Sequence, residues 1–353
     1  MIRAREIAAV RDIDLEQVQP ASLDLRLGRE AYRVRASFLP GAKATVMDKV
    51  REMGGHPLDL TGGPVLEKGC VYVVPLLERV KLPQGVMGFA NPKSSTGRLD
   101  ILTRLITDYG TAFDQVDRGY EGPLYIEIAP QTFSIVVRQG SRLNQLRLQR
   151  GKGVIASTEL ERLYSEGQLV GVTHTELSLR DGLVPVTIDL KGNGLGSVIG
   201  YRAKKHTDRI DIDRVGAYDA HDFWERIPYH REASLILDPG EFYILATREE
   251  VGVPPDLAAE MVPYHTRSGE YRVHYAGFFD PGFGWNQRAV GSRAVLEVRS
   301  HEVPFMLEHG QTVAWLRYER LAAQPDKVYG AKIQSNYQNQ GLALAKHFQP
   351  FGR

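Results

Sequence analysis

Sliding the second half of this 353-residue chain against the first reveals an internal repeat with a period near 170 residues. Gly69-Cys70-Val71-Tyr72, followed by Glu78-Arg79-Val80-Lys81-Leu82-Pro83, matches Gly240-Glu241-Phe242-Tyr243, followed by Glu249-Glu250-Val251-Gly252-Val253-Pro254, at an offset of 171. Tyr125-Ile126-Glu127-Ile128 matches Val295-Leu296-Glu297-Val298, and Gly140 with Leu146-Arg147-Leu148 matches Gly310 with Leu316-Arg317-Tyr318, both at 170. Near the starts of the copies, Ser22-Leu23-Asp24-Leu25 resembles Thr187-Ile188-Asp189-Leu190. Chance likeness between strands would not keep one register across separated blocks. The chain therefore reads as two homologous domains, 1–165 and 175–353, which meet between about residues 155 and 180.

Both copies consist of short runs rich in β-branched and aromatic residues, such as Val71-Tyr72-Val73-Val74 and Phe242-Tyr243-Ile244-Leu245, parted by Gly, Pro, Asp and Asn. That pattern marks a barrel or sandwich, mainly β with few short helices. One short helix is expected where Leu99, Leu102 and Ile106 share a face directly after Ser94-Ser95-Thr96. Residues 203–232 are polar and aromatic without clear periodicity, and read as a long loop or a structured connection.

Lys and Arg number 44 against 43 Asp and Glu, a formal charge of +1. No broad field exists to hold nucleic acid or an anionic membrane, so any phosphate site must be local. Cys70 is the only cysteine, which excludes an internal disulfide or a site of several thiolates and fits a reducing cytoplasm. No apolar run reaches the roughly 18 residues of a membrane span, and no targeting segment is expected.

Pro92-Lys93-Ser94-Ser95-Thr96-Gly97-Arg98 combines paired hydroxyls, backbone amides at a helix start and two cations, which together suit a phosphate. The same residues also make an ordinary helix cap. Further on, Gly110-Thr111-Ala112-Phe113-Asp114-Gln115-Val116-Asp117-Arg118-Gly119-Tyr120-Glu121-Gly122 leads into a strand from Pro123 to Ile128. This small-residue hairpin resembles the nucleoside-binding hairpin of dUTPases and dCTP deaminases. Pro20-Ala21-Ser22-Leu23-Asp24-Leu25-Arg26-Leu27-Gly28 is similar to the first motif of the deaminase branch, and Ser94-Ser95-Thr96-Gly97-Arg98 to its Ser-Ser-x-x-Arg motif.

The resemblance implies two tandem dUTPase-like distorted β-barrel or jelly-roll domains. It also implies that the backbone around Ala112 reads the pyrimidine edge, that Asp117 lies by the deoxyribose and that Tyr120 packs nearby. Deaminases carry their catalytic Glu five places after the hairpin glycine, where dUTPases carry an apolar residue; this chain has Glu127. Deamination at C4 of cytosine needs water made nucleophilic and a proton for the departing amine, and one carboxylate can serve both steps. Ser94, Ser95 and Arg98 would then position the water, the base or the phosphates, with Arg98 reaching in from a neighbouring subunit. The substrate would be dCTP, the product dUTP, and Mg2+ would arrive bound to the triphosphate.

Asn336-Tyr337-Gln338-Asn339-Gln340-Gly341 is similar to the deaminases' closing segment, usually Lys-Tyr-x-x-Gln, which folds over the triphosphate. Tyr337 and Gln340 match; Asn336 stands in place of the Lys, with Lys332 and Lys346 as candidates to compensate. His174-Thr175-Glu176 fits the His-x-Glu element of zinc deaminases, but their signature needs a downstream Cys pair and the one thiol lies upstream, so no zinc is expected.

In the second copy, Ala276-Gly277-Phe278-Phe279-Asp280-Pro281-Gly282-Phe283 restates the hairpin, Glu297 takes the glutamate position and Arg267 is the counterpart of Arg98. Its serine pair is missing, with Pro263-Tyr264-His265-Thr266 there instead, and about seven extra residues follow the hairpin. The copy is a second active site, a regulatory nucleotide site or a structural partner completing the first, and the last fits a family whose sites lie between subunits. Single-domain relatives form trimers, so a trimer of chains is the simplest closed assembly. Four functions compete: dCTP deamination, a bifunctional reaction continuing to dUMP and diphosphate, plain dUTP hydrolysis, and a non-catalytic nucleotide sensor. The resemblance also admits dTTP as a regulator.

Overall fold

The computed structural model describes the whole chain except residues 3, 5, 172–177, 193, 195–196, 264–270, 275–276, 287–288, 301, 331–340 and 352–353. The first half folds as β1 (Ile7–Ala9), β2 (Leu23–Arg26), β3 (Glu30–Val34), helix α1 (Val46–Glu52), β4 (His56–Asp59) and β5 (Val65–Leu66). Then come β6 (Val71–Lys81), β7 (Val86–Pro92), the one-turn helix α2 (Ser94–Gly97), β8 (Ile101–Thr107), β9 (Gln115–Val116), β10 (Glu121–Pro130), β11 (Ile135–Val136) and β12 (Arg142–Arg150). After α3 (Ser157–Ser165) the second half runs β13 (Val184–Thr187), β14 (Val198–Ala203), β15 (Ile210–Asp211), β16 (Tyr218–Asp219), α4 (Ala220–Phe223), β17 (Trp224–Pro228) and β18 (Ser234–Leu237). It continues with β19 (Phe242–Val251), β20 (Leu257–Pro263), β21 (Tyr271–His274), β22 (Phe278–Phe279), β23 (Trp285–Asn286) and β24 (Ala289–Val290). The last strands are β25 (Ser292–Ser300), β26 (Phe305–Glu308), β27 (Thr312–Arg320) and β28 (Phe348–Gln349).

The repeat is visible strand by strand. One sheet runs β4-β3-β6-β10-β8 in the first copy and β17-β14-β19-β25-β21 in the second; the facing sheet runs β2-β12-β7-β9 and then β13-β27-β20-β22. Even the long-strand register is kept, since Glu127 pairs with Val73 and Glu297 with Ile244. The starts of the copies need a correction. Leu23 pairs with Leu146 and Val184 with Leu316, while Arg26 pairs with Arg142 and Thr187 with Thr312, so Leu23–Arg26 corresponds to Val184–Thr187 and not to the stretch beginning at Ile188. The seven extra residues after the second hairpin fall where β23 and β24 pair with each other.

A buried glutamate joins the two sheets in each copy. Glu78, on β6, is fully buried and accepts hydrogen bonds from the Arg26 backbone N–H at 2.8 Å, Arg26 Nε at 2.8 Å and Gln17 Nε2 at 2.9 Å. Glu249, its counterpart on β19, accepts from the Thr187 backbone N–H at 2.7 Å and from Thr187 Oγ1 at 2.5 Å. Tyrosines repeat as well: the Tyr72 hydroxyl accepts from the Glu67 N–H at 3.1 Å, and that of Tyr243 from the Asp238 N–H at 3.0 Å.

Contacts divide the chain into two compact units. The first comprises Met1–Lys152, His206–Tyr218 and Ala345–Gln349; the second comprises Gly153–Lys205, Asp219–Leu344 and Pro350–Arg353. Residues 203–232 are thus largely structured. Within them β15 pairs parallel to β11, and the Arg138 guanidinium grips both carboxylate oxygens of Asp211 at 2.7 Å. The helix expected over Leu99–Ile106 does not form. Leu102 and Ile106 belong to β8, which pairs along its whole length with β10, Leu99 lies in the turn before it, and sheet pairing overrides a periodicity carried by three residues.

Removing the Glu78 carboxylate leaves the buried Arg26 cation with only the more distant and exposed Asp14 carboxylate, at 3.4 Å, as a charged partner. Glu78→Ala is expected to cost about 3–5 kcal/mol, read as a lower urea midpoint. Glu249→Ala, which strands only a hydroxyl and an N–H, is expected to cost about 1–3 kcal/mol.

Candidate active site

Side chains alternate across a strand, so Glu127 shares a face of its sheet with Tyr125, and Arg104, directly opposite Glu127 on β8, shares it with Ile106. That face is covered by α1: Tyr125, Ile106 and Val73 pack with Val46 and Val50. Glu127 is 0% exposed. Arg104 donates to one of its oxygens twice, from Nε at 2.9 Å and Nη2 at 2.5 Å, both to Oε1. Nη2 also donates to Ser37 Oγ at 2.5 Å, and the guanidinium carbon lies 3.9 Å from the centroid of the Phe113 ring. Glu127 Oε2 is buried with no hydrogen-bond partner among the described residues. One carboxylate oxygen is thus held while the other keeps its lone pairs for a proton, which is the arrangement a general base requires.

The hairpin after β8 is pinned to that strand through Asp114. Its N–H donates to the Leu105 carbonyl at 2.9 Å, and its carboxylate accepts from the Leu105 N–H at 2.8 Å. Desolvation pushes its pKa up to about 7. Asp114 has φ 59°, a left-handed conformation that Asp tolerates better than most side chains. Sequence reasoning passed over this residue; the only signal was an Asp in a small-residue turn. Ala112 lies half-buried in the same hairpin, and the exposed Asp117 accepts from Gln115 Nε2 at 2.7 Å. Tyr120 is a brace for the hairpin: its hydroxyl accepts from the Asp108 N–H at 3.2 Å and donates to the Pro123 carbonyl at 2.7 Å. Gly122 is required beside it, since a Cβ there would stand 2.5 Å from that hydroxyl.

The serine motif lines a different place. Ser94 is exposed, Ser95 is 8% exposed and Arg98 is 3% exposed; Lys93, not a serine, takes the N-cap position of α2 and makes no side-chain capping bond. A cavity of about 320 Å³ in the first unit is lined by Lys93, Ser95, Arg142, Asp213, Lys346 and His347, among others. Lys93 is ion-paired with Asp24. Burial and the nearby Lys93 hold Lys346 below the usual lysine range. His347 Nε2 lies 2.9 Å from the Ile212 carbonyl, which can only accept, so that nitrogen carries the proton and Nδ1 is a lone-pair acceptor, buried without a partner among the described residues. Three cations, Lys93, Arg142 and Lys346, line this small space beside a single lining carboxylate, Asp213.

Ile101 also lines the cavity, and it lies three residues from Arg104 on an unbulged strand. An odd separation sends the two side chains to opposite faces. Within one unit, then, Glu127 and the serine motif lie on opposite sides of a sheet. Arg267, Tyr337 and Gln340, with Lys332, His174 and the stretch replacing the serine pair after Pro263, fall outside the residues whose side chains are described. In the second copy Glu297 is buried, and the register position facing it belongs to His274, where the first copy has Arg104. Asp280 directly follows β22 as Asp117 follows β9.

Comparison with known proteins bears on the same segments. The family model described as the 2'-deoxycytidine 5'-triphosphate deaminase N-terminal domain matches residues 1–152, and that of the C-terminal domain matches residues 156–348. A crystal structure of 2'-deoxycytidine 5'-triphosphate deaminase from Agrobacterium tumefaciens is 53% identical, covers 92% of this chain and 97% of its own, and superposes with a TM-score of 0.86. The dCTP deaminase of Haloarcula marismortui is 31% identical over 132 residues, 37% of this chain and 65% of that protein, just under two thirds of its length. A dUMP-forming dCTP deaminase from Methanopyrus kandleri is 27% identical over 183 residues, 50% of this chain and 86% of its own.

Because burial depresses His347 to about 4 in the folded chain, protons bind the unfolded chain more tightly. The stability contributed by neutral His347 is complete above about pH 6.5 and is lost as pH falls from there through about 4. His347→Gln keeps a donor for the Ile212 carbonyl without the titration. The melting temperature of the variant is expected to fall less than that of the parent between pH 7 and pH 4.

Proposed function

Since the chain belongs to the dCTP deaminase family, we propose that it hydrolyses dCTP to dUTP and ammonia with Glu127 as the proton carrier. The observation that carries this reading is Glu127 Oε2, buried and without a hydrogen-bond partner among the described residues, beside an oxygen that Arg104 holds in place. Oε2 takes a proton from water as the oxygen attacks C4 of cytosine, then returns it to the amino group as the C4–N bond breaks and ammonia leaves. The cavity beside Lys93, Ser95 and Lys346 suits the triphosphate and the Mg2+ it carries, and Ser94 and Arg98, from the same motif, are further candidates to contact the nucleotide.

The opposed faces of Glu127 and the serine motif favour a site assembled from two chains, each giving its Glu127 to one pocket and its serine motif to another. A trimer of chains satisfies that requirement and accords with Arg98 serving a neighbour. The second copy serves as a completing partner for the first, with Glu297, Arg267 and Asp280 as its nucleotide-facing candidates and Tyr337 and Gln340 closing over the triphosphate. A reducing cytoplasm suits a chain with one thiol, and dTTP, as the end product nearest in shape, is the regulator to test.

The dUMP-forming relatives keep a bifunctional reaction as the second reading. Incubation with dCTP, assaying ammonia and diphosphate separately, distinguishes the two: ammonia alone supports deamination, both products support the bifunctional enzyme, and neither defeats both readings. Glu127→Gln is expected to keep nucleotide affinity while ammonia release falls by about a hundredfold.

A further inference from the structure

A guanidinium commonly meets a carboxylate through two parallel N–H···O bonds, one to each oxygen. Arg104 does not. Its Nε at 2.9 Å and its Nη2 at 2.5 Å both donate to Glu127 Oε1, while Oε2 is buried with no hydrogen-bond partner among the described residues. Two further contacts hold the guanidinium in this offset position. Nη2 also donates to Ser37 Oγ at 2.5 Å, in the exposed loop after β3. On another side the guanidinium carbon lies 3.9 Å from the centroid of the Phe113 ring, whose negative face attracts the cation. Phe113 is itself well anchored, since its ring packs against the apolar cluster that contains Val46, Val50, Ile106 and Tyr125. The next residue, Asp114, is bonded through N–H and carboxylate to Leu105, the neighbour of Arg104 on β8.

We propose that Phe113 and Ser37 are positioning residues for the deamination reaction, which hold the Arg104 guanidinium to one oxygen of Glu127 and so keep the other open to a proton. This rests on the reading of Glu127 as the proton carrier. With the ring or the hydroxyl gone, the Nε–Nη2 edge of Arg104 is free to settle into the two-oxygen pairing that its fork geometry favours. Oε2 would then accept from a cation and become a poorer acceptor for the proton of the attacking water. Phe113 belongs to the hairpin and Ser37 to the loop before α1, so two segments distant in sequence act on the glutamate through one guanidinium.

Steady-state kinetics with dCTP tests both residues. Phe113→Leu keeps the apolar packing without a ring face, and its kcat is expected to fall about fivefold or more. Ser37→Ala, at an exposed position where folding is not at stake, is expected to lose about threefold or more. KM stays within about twofold in each, because the lost interaction serves the proton transfer and not the nucleotide. Phe113→Tyr and Ser37→Thr restore the ring and the hydroxyl, and are expected to keep the parent kcat within about twofold. A crystal structure of Phe113→Leu is expected to show Arg104 bonded to both oxygens of Glu127. An unchanged kcat in Phe113→Leu or Ser37→Ala would overturn the proposal, as would a rise in KM at constant kcat. Losses of equal size in Phe113→Tyr or Ser37→Thr would do the same, and so would a guanidinium still bonded to Oε1 alone in that crystal. Glu127→Gln, run in parallel, separates the two readings: a normal rate there removes the proton carrier and this proposal with it. A slow Glu127→Gln beside an unchanged Phe113→Leu and Ser37→Ala overturns this proposal alone.

Discussion

A buried carboxylate ties the two sheets of each copy together, and much of the fold hangs from it. Glu78 stands on the long strand β6 and holds the backbone and side chain of Arg26 on β2, which belongs to the facing sheet. A charge placed between sheets is costly unless it is fully bonded, so the pair tolerates one relative position and rejects slipped alternatives. Glu249 repeats the device with Thr187 and needs no cation, because a hydroxyl and an N–H satisfy the same two oxygens. The sheets are thereby registered twice in one chain, by related carboxylates with different partners.

With the sheets fixed, the positions of the chemical groups follow from strand parity. Glu127 and Arg104 meet because they are opposite one another on neighbouring strands, and Ile101 turns away because it is an odd number of residues from Arg104. The same parity keeps the polar cavity and the glutamate on different faces. One difference between the copies falls beside the glutamate itself: the register position opposite it belongs to Arg104 in the first copy and to His274 in the second.

Much of this could be read from the sequence because it lies in strand registers that an internal repeat exposes. The offsets of 170 and 171 are the registers of β10 on β6 and of β25 on β19, and Glu127 with Glu297 came from them. The starts of the copies were misread by a few residues, since Leu-Asp-Leu beside Ile-Asp-Leu is a stronger verbal match than Leu23–Arg26 beside Val184–Thr187, though only the latter pairs alike. Leu99, Leu102 and Ile106 suggested a helix because three apolar residues cannot separate a helical stripe from a strand buried on both faces. Asp114 and His347 stayed hidden for another reason. Their character comes from desolvation and from neighbours distant in sequence, and no local pattern records either.

The strap formed by residues 206–218 and 345–349 has a consequence for how the chain is made. The first unit to leave the ribosome lacks β15 and its grip by Arg138 until residue 211 has been synthesised, and lacks His347 until residue 347. Domains usually fold in the order of synthesis. Here the earlier unit can form its sheets early but is completed last, so the assembly of its polar cavity is reserved for chains that have been translated almost to residue 349.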